Sequence, residues 1–264
     1  MSSKLKIFGV PMSQAVRTVL WMMLYKKLPF ELIITAPGSP KENGTRHPSY
    51  LEKYPNGTIP GLEDPETGYL LSESIAIMCY LCNKHKWDDL YPEDPELRGK
   101  VDHYLHYHHR SIKEASAGYF APILRPDLGL SEDLINMSQR IYNNALKALE
   151  TQWLKKNKFI AGEHVTIADF SAYVEIAQLN KQFTNLFDYS EFKNLSRWLE
   201  DMSKLDHHDD VHMVLTKMGD ISETAPEMEI IMKANLETFS HLNDIASKLD
   251  SYSFIFNKLI IMIL

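Results

Sequence analysis

Ser13 is the first residue whose type and position could support chemistry. It follows a short alternating apolar run at residues 4–10, which predicts a half-buried strand. After it, up to residue 24, apolar residues recur every three or four positions, as in an amphipathic helix. A serine at a helix start can cap free backbone N–H groups, and it lies in the positive end of the helix dipole. Ser13 therefore suits either a helix cap or a group that stabilises a nearby anion such as a thiolate.

A second candidate precedes another predicted helix, residues 75–85, where the chain reads Ser-Glu-Ser at 72–74. Backbone N–H groups at a helix start can hold a ligand carboxylate, and the Glu73 side chain would attract a ligand ammonium. The same residue types also form ordinary helix caps. The motif therefore has both a structural and a ligand-binding interpretation.

A β-hairpin is predicted between these two helices, from residues 56–62 and 69–71. Pro60 cannot donate a hydrogen bond to a neighbouring strand, so it belongs at a sheet edge or at a strand start. Backbone groups beside it are then free to pair with an extended ligand. A bound peptide would fit such a position.

Cysteine and histidine patterns give weaker signals. Cys79 and Cys82 form a Cys-x-x-Cys pair, but they fall inside the predicted helix, away from the helix start where a thiolate is stabilised. We interpret both as small buried apolar residues. Two groups of histidines lack a familiar ligand spacing, so no metal site is predicted. Their members are His103, His106, His108 and His109, and then His207, His208 and His212.

Composition limits the function classes. A chain of 264 residues suits two compact domains, and 28 basic against 35 acidic residues leave no electrostatic footprint for nucleic acid. Two cysteines are too few for a disulfide scaffold. The N-terminus lacks the apolar core of a signal peptide, and no apolar run approaches the roughly 20 residues of a membrane span. We expect a cytoplasmic protein without an integral membrane segment.

The order of predicted elements indicates two different domains. A second strand at residues 28–34 completes a βαβ-like unit, and residues 35–54 form an irregular segment with one helical turn near 49–53. Residues 86–94 are the best linker candidate. Helical patterns dominate afterwards, and residues 166–169 (Thr-Ile-Ala-Asp) form a helix-capping arrangement. The predicted helices cover residues 97–118, 132–156, 166–183, 191–205 and 226–249.

Four motifs together resemble a cytosolic glutathione transferase in order and spacing, over about residues 4–220. They are residues 11–17, 56–60, 72–77 and 166–169. The Ser-Gln start and residues 101–105 are most similar to theta-like serine-type classes. The resemblance implies a thioredoxin-like α/β N-terminal domain, an all-α helical C-terminal domain, a homodimer, and glutathione as co-substrate. The implied boundaries are 1–86 for the glutathione-binding domain, 95–225 for the helical domain, and 226–264 for a helical extension.

The resemblance also implies residue roles. Ser13 would contact the glutathione thiol, and Ile59, before a cis Pro60, would offer its backbone to the cysteinyl part. Glu73 and Ser74 would take the γ-glutamyl ammonium and carboxylate. Further glutathione contacts are expected from Gln14, His47 and Thr58. The family often has Lys where Thr58 stands and Arg where Lys113 stands, and its loop histidine falls on Thr45. The residues that bind the glycyl carboxylate, and the class, stay open.

The electrophile would lie between the domains. On a continuous helix His106, Arg110 and Lys113 share one face at spacings of four and three, which predicts a positive stripe along a cleft. Tyr107 and Tyr119 complete the expected electrophile site. The implied reaction is conjugation of the glutathione thiolate to a hydrophobic electrophile, whose identity the sequence does not specify.

Two alternatives to this reaction stay open. A glutathione-dependent peroxidase or reductase would favour a cysteine at position 13. A non-catalytic module for protein association would not need the intact Ser13 and Glu73-Ser74.

The C-terminal end, residues 254–264, is more apolar than a free terminus should be. It is too short to span a bilayer. We expect it to fold over the cleft or over an apolar groove, with weak interfacial membrane attachment as the alternative.

Overall fold

A computed structural model describes the backbone of residues 4–263 and the side chains of residues 4–250. Its first elements are β1 (Leu5–Gly9), α1 (Gln14–Tyr25) and β2 (Phe30–Ile34), and β1 and β2 are parallel. The predicted βαβ unit is confirmed. The second strand starts two residues later than expected, just after Pro29, which has no N–H to donate.

A hairpin and two helices complete the first domain. They are α2 (Pro48–Lys53), β3 (Gly61–Asp64), β4 (Tyr69–Ser72) and α3 (Ser74–His85). The strands form one mixed sheet in the order β2-β1-β3-β4, in which β3 is antiparallel to both neighbours. The predicted hairpin is confirmed, but its first strand begins at Gly61, directly after Pro60, and not at residue 56. The thioredoxin-like arrangement of this domain is confirmed as well.

The rest of the chain is helical, as expected for the second domain. Its helices are α4 (Pro95–His108), α5 (Ala121–Leu124), α6 (Glu132–Ala148), α7 (Leu154–Lys156), α8 (Ile167–Ala177), α9 (Lys193–Ser203), α10 (His208–Met218) and α11 (Met228–Ile263). A π-helical turn, Leu149–Trp153, joins α6 to α7, so the predicted helix over 132–156 is continuous. Among the helices in the described part of the chain, none is long and apolar enough to cross a membrane.

Helix α8 forms the centre of the helical domain, and every one of its residues is buried. The predicted cap is confirmed as a capping box: the Asp169 carboxylate accepts from the Thr166 N–H at 2.9 Å. Asp169 also accepts from the Ile160 N–H and from Trp198 Nε1, both at 2.9 Å. Burial raises the pKa of Asp169 to about 6. The local motif therefore also connects α8 to two other parts of the domain.

The two domains meet along α1 and α8. The Trp21 ring lies edge-on to Phe170 and Tyr173, with ring centroids 4.9 and 5.2 Å apart. Its Nε1 donates to the backbone of Asp206 at 2.9 Å. Since Trp21 is fully buried in these contacts, it attaches α1 to the helical domain.

The predicted single helix over residues 97–118 is wrong. Helix α4 ends at His108, and residues 109–124, here called the broken segment, contain short 3-10, π and α turns. Ser111 adopts a non-helical φ of −144°, and its hydroxyl donates to the Tyr107 carbonyl, which competes with the helical pattern. Pro122 follows near the start of the last turn. Periodicity did not reveal this local competition.

Helix α10 was not predicted. It starts after His207, which has a positive φ of 63° and therefore lies outside the right-handed helical region. His208 and His212 lie one turn apart on its buried face, against Trp21, with ring centroids 5.6 and 5.3 Å away. Burial lowers the pKa of both histidines, so they serve as neutral core residues.

Helix α11 covers the edge strand β2. The Asn243 side chain accepts from the Leu32 N–H at 2.8 Å and donates to the Leu32 carbonyl at 3.0 Å. These bonds satisfy backbone groups that an edge strand would otherwise expose. The predicted packing of the apolar end, residues 254–264, concerns side chains outside the described residues.

Candidate functional site

Strand register brings three loops to one edge of the sheet, here called the sheet edge. Phe8 of β1 pairs with Gly61 of β3, and Gly61 pairs with Ser72 of β4. Near this row β1 ends, β3 begins and β4 ends. The loops that carry Ser13, Ile59 and Glu73 therefore leave the sheet on the same side.

Ser13 occupies the N-cap position of α1, but its hydroxyl does not cap the helix within the described structure. Its backbone is extended (φ −70°, ψ 125°), and its N–H donates to the Val10 carbonyl at 3.1 Å. The half-buried hydroxyl therefore lies at the positive end of a 12-residue helix without being used by it. Such a hydroxyl can donate to an anion.

The peptide bond between Ile59 and Pro60 is cis, as the resemblance implied. Among the hydrogen bonds of the described residues, none uses the backbone N–H or C=O of Ile59. Thr58 is exposed, and its carbonyl accepts from the Tyr50 hydroxyl at 2.7 Å. The segment before β3 is thus held by Thr58 while Ile59 keeps free backbone groups for an extended ligand.

Glu73 and Ser74 begin α3. Glu73 is exposed and has a φ of 72°, a region that strains an L side chain and is common at ligand-binding positions. Its carboxylate is close enough to His109 to raise the pKa of that imidazole against the larger effect of burial, which lowers it. Ser74 lines a small cavity together with Ala15 and Thr18 of α1. The start of α3 therefore lies beside the first turn of α1.

A polar chain runs from the first turn of α1 into the helical domain. Gln14 Nε2 donates to Ser116 Oγ at 2.9 Å, and Ser116 Oγ donates to Glu175 Oε2 at 3.3 Å. Burial raises the pKa of Glu175 to about 7, although the nearby Lys113 opposes that shift. Gln14, predicted to bind glutathione, thus has its side-chain amide bonded to the second domain.

His47 has a structural contact in this structure. It is the N-cap of α2, where its Nδ1 lies 2.7 Å from Ser49 Oγ. Thr45, at the position of the family's loop histidine, is fully buried and accepts from the Gly38 N–H at 2.9 Å. His47 and Thr45 therefore both make structural contacts within this loop.

The five residues expected to contact the electrophile do not share one face. His106 is on α4, but Arg110 and Lys113 lie beyond its end, so the predicted positive stripe is wrong. Tyr107 packs against the Trp153 ring at 6.1 Å. Tyr119 packs against the rings of Tyr142 and Phe187 at 5.6 and 5.4 Å. Of the five, Lys113 is the one that lines the cavity beside Ser74.

Family models match most of the chain. The model described as glutathione S-transferase, N-terminal domain matches residues 7–89, and the model described as glutathione S-transferase, C-terminal domain matches residues 101–206. A curated relative, glutathione S-transferase D7 of Drosophila melanogaster, is 30% identical over 76% of this chain and 85% of its own length. The chain belongs to the glutathione S-transferase family.

Other relatives agree with the resemblance to theta-like classes. Glutathione S-transferase T2 of Arabidopsis thaliana is 32% identical over 243 residues, 87% of this chain. This chain spans 40% of that relative's length. A solved structure of human glutathione transferase theta-2, in complex with glutathione and an unknown ligand, shares the fold with a TM-score of 0.68. It is 23% identical and aligns with 90% of this chain and 99% of its own.

The Cys-x-x-Cys pair does not have the features of a redox site. Burial raises the pKa of Cys79 to about 11 and that of Cys82 to about 12, which disfavours the reactive thiolate. In the described part of the chain, no group of three or more His, Cys, Asp or Glu residues could hold a metal ion.

Sequence reasoning missed several polar residues around the sheet edge. Arg17 is fully buried, and its Nη1 donates to the Met12 carbonyl at 2.7 Å. The sequence does contain an indication that Arg17 is buried, because it is a lone charge between Val16 and Val19 on the apolar side of α1. Ser116 and Glu175 had no comparable signal, because their contacts join distant segments.

Proposed function

We propose that this chain is a glutathione transferase in which Ser13 donates a hydrogen bond to the glutathione thiolate. The observation that carries the proposal is the Ser13 hydroxyl, which stands at a helix start and is not used as its cap. Ile59 supports the proposal with its free backbone, and Glu73 and Ser74 support it with a carboxylate and a hydroxyl at the start of α3. The co-substrate, the reaction and its residue roles are all part of this proposal.

The proposed chemistry follows from the thiol pKa. The thiol of glutathione resembles free cysteine, with a pKa of about 8.5, and its thiolate is the nucleophile. A serine hydroxyl is too weak an acid to serve as a base unaided, so Ser13 would stabilise the thiolate as a donor. Lowering the thiol pKa by one to two units requires about 1.4 to 2.7 kcal/mol. One charge-assisted hydrogen bond and the dipole of α1 supply free energies of this size.

Binding of the rest of the tripeptide would use the sheet edge. Ile59 would pair with the cysteinyl backbone as a strand pairs with its neighbour. The γ-glutamyl carboxylate would accept from the Ser74 hydroxyl and the first N–H groups of α3, and its ammonium would pair with Glu73. A hydrophobic electrophile would then approach the thiolate from the helical domain, near Lys113.

The test is an ultraviolet titration of the thiolate in the complex with glutathione. In Ser13→Ala we expect the bound-thiol pKa to rise by one to two units and turnover at neutral pH to fall about 10- to 100-fold. Glutathione affinity should stay nearly unchanged. Ser131 provides a matched control, since it is the N-cap serine of α6 and accepts from the Leu134 N–H at 3.3 Å. Ser131→Ala should lower stability and leave the thiol pKa unchanged.

Three outcomes separate the alternatives. An equal bound-thiol pKa in wild type and Ser13→Ala would end this mechanism. Reduction of hydroperoxides or mixed disulfides without conjugation of an aromatic halide would favour a peroxidase or reductase. Failure of the wild type to bind glutathione would favour an association module.

We also propose that the protein is a cytoplasmic homodimer, with domain boundaries near residues 1–86, 95–225 and 226–264. Two-domain chains of this family pair through surfaces that a single copy leaves exposed. Light scattering at micromolar concentration should give twice the 30.5 kDa of one chain. A mass of one chain would remove the dimer from the proposal.

A further inference from the structure

One hydrogen bond joins the Ser13 loop to the C-terminal helix. The Met12 N–H, next to Ser13, donates to Asn235 Oδ1 of α11 at 2.9 Å, across 223 residues of sequence. Asn235 Nδ2 donates to the Ile231 carbonyl of its own helix at 2.9 Å. Because the amide nitrogen is used within α11, the amide oxygen is directed to the Met12 N–H.

The neighbouring backbone groups of the loop are already satisfied within the first domain. Arg17 Nη1 donates to the carbonyls of Pro11 and Met12, at 3.2 and 2.7 Å. The Ser13 N–H donates to Val10, and the Ser13 carbonyl accepts from the Arg17 N–H at 2.9 Å. Pro11 has no N–H. Of the donors in residues 11–13, the Met12 N–H is thus the one whose partner comes from α11.

We propose that Asn235 is a positioning residue for Ser13. By holding the Pro11–Met12 peptide, which comes one peptide before the one that joins Met12 to Ser13, it limits the direction in which the Ser13 hydroxyl can point, which makes α11 part of the apparatus that stabilises the thiolate. Hydrogen bonds weaken steeply with distance and angle, so a small rotation of this peptide reduces the donation from Ser13. This inference depends on the proposed role of Ser13 in thiolate stabilisation.

The same helix contains an internal control. Asn243 is half-buried like Asn235, lies two turns further along α11, and attaches that helix to the backbone of Leu32 on β2. Both asparagines fasten α11 to the first domain through one side-chain amide. Asn235 contacts the Ser13 loop, whereas Asn243 contacts the edge strand. A role in docking α11 would affect both, and a role in positioning Ser13 would affect Asn235 alone.

The experiment compares Asn235→Leu, Asn243→Leu and Ser13→Ala in the full chain. Leucine keeps the approximate size of asparagine and removes its hydrogen bonds. We expect Asn235→Leu to raise the pKa of the bound glutathione thiol by about half a unit to one unit and to lower kcat at neutral pH about three- to tenfold. Its KM for glutathione should change less than twofold, roughly the scatter expected when no binding contact is lost.

Asn243→Leu should lower the melting temperature and leave the thiol pKa unchanged. Asn235→Ala, which adds no bulk, is the second variant in case leucine prevents folding.

The outcomes distinguish this inference from the proposed function. An unchanged thiol pKa in Asn235→Leu and Asn235→Ala, with a raised value in Ser13→Ala, overturns the role of Asn235 and leaves Ser13 in place. Equal shifts in Asn235→Leu and Asn243→Leu overturn the assignment to Asn235, because docking of α11 then suffices. An unchanged thiol pKa in Ser13→Ala overturns both proposals.

Discussion

The sheet edge was predicted from short local motifs, and the broken segment was predicted from helical periodicity. The structure has the predicted backbone elements at the sheet edge, but it does not have the predicted continuous helix in the broken segment. At the sheet edge, Ser13, Ile59 and Glu73 belong to short motifs in which a helix start, a cis proline and a hairpin constrain the backbone. In the broken segment, Arg110 and Lys113 were assigned by helical spacing from α4, which ends before them. A local motif includes its own backbone geometry, while periodicity is informative only as far as the helix continues.

The largest expected effect concerns the capping box, the local motif of the helical domain. Asp169→Ala leaves the donors of Ile160, Thr166 and Trp198 without their acceptor in a fully buried site. Each unsatisfied buried donor costs about 1 to 3 kcal/mol, so losing the acceptor of all three should lower the free energy of unfolding by at least about 3 kcal/mol. Urea denaturation measures it. Asp133→Ala, an exposed first-turn aspartate of α6, should cost less than about 1 kcal/mol. Similar losses in both variants would contradict the importance of the box.

Glu73→Gln tests the sheet edge by removing a charge and keeping the side-chain size. If Glu73 pairs with the γ-glutamyl ammonium, losing a hydrogen bond to a charged group costs about 1.5 to 3 kcal/mol, so the glutathione Kd should rise at least tenfold. The bound-thiol pKa should stay near its wild-type value, the reverse of Ser13→Ala. Calorimetry measures the affinity. Glu52→Gln, an exposed change on α2, serves as control, and an unchanged Kd in Glu73→Gln would remove Glu73 from the site.

Lys113 and Arg110 test whether the position of a positive charge in the broken segment matters for glutathione binding. Both are exposed cations, but Lys113 lines the cavity beside Ser74. Lys113→Gln should weaken glutathione binding about two- to fivefold, the scale of a partly screened charge, and the effect should shrink at high salt. Arg110→Gln should change the Kd less. Equal effects of the two substitutions would indicate a general field of positive charge instead of a specific position.

The last test is a pH dependence at the domain boundary. Burial raises the pKa of Glu175 from 4.5 to about 7, so the folded chain holds a proton that the unfolded chain has released between these values. The stability contributed by the protonated carboxyl is full below about pH 4.5 and is lost as the pH rises through about 7. The melting temperature of Glu175→Gln, relative to that of wild type, should therefore rise as the pH increases from 5 to 8. The exposed Glu132→Gln should show no such trend, and a pH-independent difference for Glu175→Gln would contradict a raised pKa.

Most of the first domain, the places of its candidate site residues in the fold, and one helix cap of the second domain could be predicted from the amino-acid sequence. The strand, turn and helix around Ser13, the hairpin after Pro60 and the capping box at residues 166–169 all depend on neighbours within a few positions. Their residue types limit the backbone directly, through a cap, a missing N–H or a required turn. The matching order of these motifs along the chain was sufficient to indicate the family.

Contacts between distant segments depend on the tertiary structure. The bond from Met12 to Asn235 spans 223 residues, and the contact of Ser116 with Glu175 spans 59. Such contacts follow from how completed elements pack against one another. The residue type in the sequence tells which hydrogen bonds a side chain can make. Only the packed structure determines which backbone group becomes its partner.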